Sequence, residues 1–131
     1  MAINVQGMAP LLQVFDMPSS IAFYRDKLGF EVSNPTHDDV DWVLLKFNGG
    51  ELMLNTAYER DARPADPDPV RIACHADTSV YFGCPDVDAA YTELCSKGLD
   101  IESPVITHYG YKAITVIDPD GYYLVFHWGV S

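Results

Sequence analysis

Apolar residues along this chain recur at two spacings, and the switches between them mark its elements. Over residues 10–15 apolar and polar positions alternate as in a half-buried strand. Asp16 follows where a carboxylate can accept from the free N–H groups of a helix start, and Pro18 suits the first turn, where no N–H is needed. Ile21, Phe23, Tyr24 and Leu28 then recur at helical spacing, and Gly29 offers the left-handed residue that stops the helix. Residues 30–33, 42–47 and 51–55 read as three strands, the last two joined by an Asn48-Gly49-Gly50 turn.

The same order then returns. Residues 79–84 read as a strand, Asp86 as a cap, 87–97 as a helix and Gly98 as its stop, followed by strands over 101–106, 111–117 and 122–128 with Asp118-Pro119-Asp120-Gly121 as the second hairpin turn. Asp16 and Asp86 are 70 positions apart, Gly29 and Gly98 69, and Gly49 and Gly121 72, a near-constant offset that argues for an internal duplication. The chain therefore reads as one domain, 1–131, of two βαβββ modules, about 8–56 and 78–129. Residues 57–77 join them. Within that stretch Pro64, Pro67 and Pro69, interleaved with Arg60, Asp61, Arg63, Asp66 and Asp68, cannot continue a buried strand, so a passive surface linker or a lid is expected.

Two stretches carry a resemblance. Leu12 to Asp16 followed by Ser20-Ile21-Ala22-Phe23-Tyr24-Arg25-Asp26-Lys27-Leu28-Gly29-Phe30, together with Asp118-Pro119-Asp120-Gly121-Tyr122, resemble the signatures of the vicinal oxygen chelate superfamily, which includes glyoxalase I, extradiol dioxygenases, fosfomycin resistance enzymes and bleomycin resistance proteins. The resemblance spans residues 10–128 and implies an α+β fold. Two tandem βαβββ modules would form a curved mixed sheet around a cavity, with each helix on the convex face. Successive strand residues then point alternately to helix and cavity.

Metal-dependent members of that superfamily hold a divalent cation with His, Glu or Gln from the first and last strand of each module. Carried onto this chain, those positions fall on Ala9, Met53, Ser79 and Val125, none of which is a usable ligand. A register slip on the fourth strand would bring in Leu54, or Glu51 and Asn55, and His127 shares a face with Val125, but two donors fall short of a chelate. The resemblance therefore points to the metal-free branch, typified by bleomycin resistance proteins, with no metal and no cofactor expected.

Strand parity puts Leu11, Gln13, Glu51, Met53, Asn55, Tyr81, Tyr123 and His127 on the cavity side, and Leu124, Phe126 and Trp128 on the helix side. An aromatic and apolar wall with sparse polar points suits a small organic ligand; Met53, Tyr81 and Tyr123 are equally ordinary core fillers, and His127 an ordinary structural histidine. In the family the loop at His108-Tyr109-Gly110-Tyr111 borders the cavity mouth, where Tyr109 and Tyr111 would stack on a flat ligand, or would pack on the sheet edge. The facing of Trp42 is open.

Composition narrows the partners. Eight Lys+Arg against 19 Asp+Glu give a formal charge of -11, which repels phosphate backbones and anionic lipid, so neither nucleic acid nor membrane is an expected partner. The start of the chain lacks the basic flank and apolar run of a signal peptide, and a cytoplasmic protein is expected. Cys74, Cys84 and Cys95 fit neither a disulfide framework nor a C-x-x-C pair and are expected as reduced, buried thiols. His37 with Asp38, Asp39 and Asp41 reads as a solvated acidic loop before a cation site.

The expected function is a binding protein that sequesters a hydrophobic or aromatic compound, cationic ones included, such as an antibiotic. It is expected as a homodimer, because an open curved sheet alone exposes its edges. The rival is a glyoxalase- or dioxygenase-like lyase or isomerase with an atypical metal site, or with His127 and Glu51 in acid–base roles.

Overall fold

A computed structural model describes residues 2–33 and 39–130. His37 and Asp38 lie outside them. The chain forms two compact units, Met1–Arg63 and Pro64–Ser131, each built on a four-stranded mixed sheet.

In the first unit β1 (Leu11–Val14) is followed by α1 (Met17–Ala22), β2 (Glu31–Val32), β3 (Trp42–Phe47) and β4 (Gly50–Thr56), in sheet order β1-β4-β3-β2. β1 runs parallel to β4, and the remaining pairs are antiparallel. The expected helix divides: α1 ends at Ala22 and continues over Phe23–Lys27 as a wider π-helical turn, before Gly29 stops it at φ +91°. Asp16 occupies the cap position, but its carboxylate takes no backbone N–H. It accepts instead from the Ser19 hydroxyl at 2.6 Å and from Arg63 at 3.5 Å. In the hairpin turn the left-handed residue is Asn48, at φ +50°, rather than a glycine.

The second unit repeats the order with α2 (Pro69–Cys74), β5 (Ser79–Gly83), α3 (Val87–Ser96), β6 (Val105–Ile106), β7 (Tyr111–Ile117) and β8 (Tyr123–Gly129), in sheet order β5-β8-β7-β6. Here the expected cap forms: Asp86 Oδ1 accepts from Ala89 N at 3.0 Å, satisfying a donor that the first turn of α3 leaves free. β6 is two residues long where six were expected, because Pro104 has no N–H to extend the ladder.

The stretch expected as a linker is shared between the units. Residues 57–63 belong to the first. Residues 64–77 belong to the second and contain α2, started by Asp68, whose carboxylate accepts from Val70 N at 3.0 Å, and by Pro69 in the first turn. α2 is fastened to the DPDG turn. Arg71 pairs with Asp120 at 2.8 Å, His75 Nδ1 meets the Asp120 carbonyl oxygen at 2.6 Å, and the His75 ring stacks on Tyr122 at 4.0 Å. Gly121, at φ +88°, has to be glycine twice over, since a Cβ there would also collide with the Ile72 carbonyl.

Each sheet buries its helix-side face. In the first unit Leu12, Val14, Val43, Leu45, Leu52 and Leu54 are buried with Met17, Ile21 and Tyr24 of the helix. In the second Ile114, Val116, Leu124 and Phe126 are buried with Val87 and Leu94, and α3 packs against β7 and β8; on the other face of this sheet Ala113 and Val125 are buried as well. Among the described residues no helix is long and apolar enough to cross a membrane.

Candidate functional site

The opposite faces carry the chemistry. On the first sheet, registers across β1, β4 and β3 align Leu11–Met53–Leu44 in one row and Gln13–Asn55–Trp42 in the next. Gln13, Glu51, Met53 and Asn55 thus share one face, and Trp42, open from sequence, joins it at 41% exposure. The face carries Lys46 as well. Lys46 stands opposite Glu51, with Nζ 3.9 Å from the carboxylate, so Glu51 does not present an uncompensated negative charge. Lys46 was not among the residues expected on this face.

On the second sheet, rows run Ser79–Tyr123–Ile117, Tyr81–Val125–Thr115 and Gly83–His127–Ala113. Gly83 and Ala113 flank His127 with almost no side chain, so its ring is reached by neighbours one row away. Tyr81 meets it edge-on with centroids 4.9 Å apart, and Tyr111 stacks on it at 4.9 Å and 24°. Tyr109 lies 5.9 Å from Tyr111, and His108 lies 5.1 Å from Tyr109. Five rings, His108–Tyr109–Tyr111–His127–Tyr81, form a continuous series along this face. His127 Nδ1 is buried and has no hydrogen-bond partner among the described residues.

A hollow of about 370 Å³ opens beside this series, lined by Gly83, Tyr111, His127, Trp128 and Gly129. Trp128 was expected against the helix. It is instead 48% exposed and packs over Gly83, whose bare Cα leaves room for the indole. Tyr123 stands apart from the series. It shares the face with His127 but lines a different hollow, at the other end of β8.

The superfamily's metal can be tested against the residues. Val125 and Met53 do lie on the open faces, and Ser79 pairs with Tyr123 on the same face, but an isopropyl, a thioether and a hydroxyl, with the methyl of Ala9, offer no imidazole or carboxylate. Among the described residues no three His, Cys, Asp or Glu stand together. The donor set does not fit a divalent metal, and no chemistry through one is derived.

The cysteines are all free, but Cys74 and Cys95 are exposed, on outward positions of α2 and α3, where buried thiols were expected. Burial pushes the Cys84 thiol up and the neighbouring Asp86 charge adds to this, outweighing the lowering effect of a backbone hydrogen bond with Asp86, so it is held as a thiol rather than a nucleophilic thiolate. Asp39 and Asp41 pair with Arg60 at 3.1 and 3.7 Å.

Several solved structures share this architecture. A bleomycin-binding protein complexed with bleomycin matches with a TM-score of 0.72 at 21% identity, covering 95% of this chain and 99% of the other. The bleomycin-binding protein of Streptomyces verticillus, complexed with copper(II)-bleomycin, matches with a TM-score of 0.71 at 20% identity over 98% of each chain. TioX from Micromonospora sp. ML1 matches with a TM-score of 0.73 at 18% identity, covering 96% of this chain and all of the other. At these identities the likeness shows a shared fold. No curated protein matches the chain. The family model of the Glyoxalase/Bleomycin resistance protein/Dioxygenase superfamily matches residues 7–126, nearly the whole length, and the chain belongs to that superfamily.

Proposed function

We propose that this chain is a metal-independent binding protein that takes a hydrophobic or aromatic small molecule, cationic ones included, with antibiotics among the candidates, and sequesters it unchanged. One observation carries the reading: the rings of Tyr111, His127 and Trp128 line an open hollow at the end of a continuous aromatic series. Flat rings alongside supply stacking area for a planar ligand. The fold is that of proteins solved with bleomycin, which supports the ligand class. An acid–base role for Glu51 with His127 finds less support, since Lys46 holds the carboxylate.

Thermal shift with bleomycin and a panel of planar aromatic cations tests this, because a ligand bound only by the folded state adds ~2.7 kcal/mol at a hundredfold excess over Kd. The expected result is a raised Tm for at least one compound, recovered unaltered by chromatography, in protein whose elemental analysis gives well under one equivalent of Zn, Fe, Mn or Ni. A stoichiometric metal lost on His127→Ala, or turnover of the compound, would reject the reading.

The exposed Leu11 and Trp42, both over 40% accessible on the open face of the first sheet, support assembly as a homodimer. Light scattering should give about twice 14.6 kDa at micromolar concentration. A mass that stays at the single-chain value would reject it.

A further inference from the structure

We propose that the second unit carries a separate small-molecule site, between the segment at residues 99–103 and the outer edge of β7, that takes an amphipathic organic cation: an ammonium group on a compact apolar body. The site begins with the short β6. It pairs only Val105 with Ala113 and Ile106 with Lys112, whereas β7 continues to Ile117. Pro104 cannot donate to the ladder, so the chain before it stands off from β7 instead of extending the pairing. The gap is a hollow of about 470 Å³, within the ~300–1,000 Å³ typical of ligand pockets.

Its apolar surface comes from Leu99, Ile101, Val105 and Ile117, with the ring of Tyr123. Val105 and Ile117 are 54% and 53% exposed, so the chain's own residues leave this surface uncovered. The only charged residues in the lining are Asp100 and Glu102. Among the described residues neither forms an ion pair, and both are exposed. The hollow therefore joins an apolar floor to an uncompensated negative rim. A neutral compound satisfies only the floor, and an anion is repelled by the rim and by the overall charge of -11. An ammonium on an apolar body satisfies both, and the Tyr123 ring favours a nearby cation further. The aromatic hollow beside His127 shares no residue with this one.

The test is a chemical-shift titration of the full chain with phenylbutylammonium, phenylbutanol and phenylbutanoate, three probes alike except in charge. Expected are shifts at the amides of 99–103 and Ile117, with the amine binding about three- to tenfold more tightly than the alcohol, as for partly exposed charge pairs, and the acid weakest. Asp100→Asn with Glu102→Gln should abolish the preference for amine over alcohol. Ile117→Lys puts a fixed ammonium at a half-exposed position and should weaken the amine about tenfold or more with an unchanged melt. The amine-induced shifts at the amides of 99–103 should persist in the Tyr111→Ala protein. Equal affinities for the three probes, shifts confined to Tyr111 and His127, or an unchanged affinity in the Ile117→Lys protein would overturn the proposal.

Discussion

Asp120→Ala should destabilise the protein by ~3 kcal/mol, read as a lowered midpoint in urea, because it strips a fully buried carboxylate from a largely buried arginine. Asp120 is 2% and the Arg71 side chain 16% exposed, and they meet at 2.8 Å. Removing the carboxylate leaves the guanidinium charged in a site that water reaches only in part. It also removes one of the contacts that fasten α2 to the DPDG turn, so amide exchange in Pro69–Cys74 should rise with the loss of stability. Two comparisons isolate the cause. Asp88→Asn breaks the exposed pair with Lys112, shorter still at 2.6 Å but with Asp88 66% exposed, and should change stability by no more than ~1 kcal/mol. Replacing Arg71 and Asp120 together with leucine should recover much of the single-variant loss, since no unpaired charge remains. If Asp120→Ala behaves like Asp88→Asn, α2 is not fastened by this pair.

The contrast between those two aspartates marks what could be read from sequence. Asp118-Pro119-Asp120-Gly121 was legible as a hairpin turn because each residue type has a local reason to be there: Asp118 Oδ1 takes the N–H groups of Asp120 and Tyr122, both at 2.9 Å, and Gly121 sits at positive φ. That Asp120 is paired with Arg71, 49 positions away, has no local signal. α2 did have one, in Asp68-Pro69, but the proline-rich stretch around it reads as linker. The β-rich runs of β3 and β7, free of proline and glycine, came out at their observed bounds, while the strand containing Pro104 did not.

The site was legible by face and not by neighbourhood. Parity puts Tyr123 and His127 on one side of β8, yet four residues at ~3.3 Å each separate them by about 13 Å, enough to assign them to different hollows. Trp42 was open because its facing depends on the turn. Once Asn48 and Gly49 form a two-residue connection and Phe47 pairs with Gly50, Trp42 must oppose Asn55. The same register brings Lys46 to Glu51, which alternation within one strand cannot reveal.

Phe126→Ala and Tyr111→Ala should separate stability from binding, because their rings lie on opposite faces of the second sheet. Phe126 is 6% exposed and stacks on Phe82 with centroids 5.1 Å apart, so truncation leaves a cavity in the helix-side core and should cost ~3–5 kcal/mol of folding free energy. Tyr111 is 38% exposed and stacks on His127, so its loss should cost under ~1.5 kcal/mol of stability. For a ligand identified by thermal shift the ranking should invert. Tyr111→Ala removes a wall of the hollow beside His127 and should weaken a planar ligand by about tenfold, while Phe126→Ala, measured at a temperature where it remains folded, should leave Kd within about threefold. Tyr123→Ala should leave this ligand almost untouched, since Tyr123 lines the other hollow. If Tyr123→Ala weakens it as much as Tyr111→Ala does, one ligand spans both ends of the face, and the aromatic series ending on His127 is only part of its site.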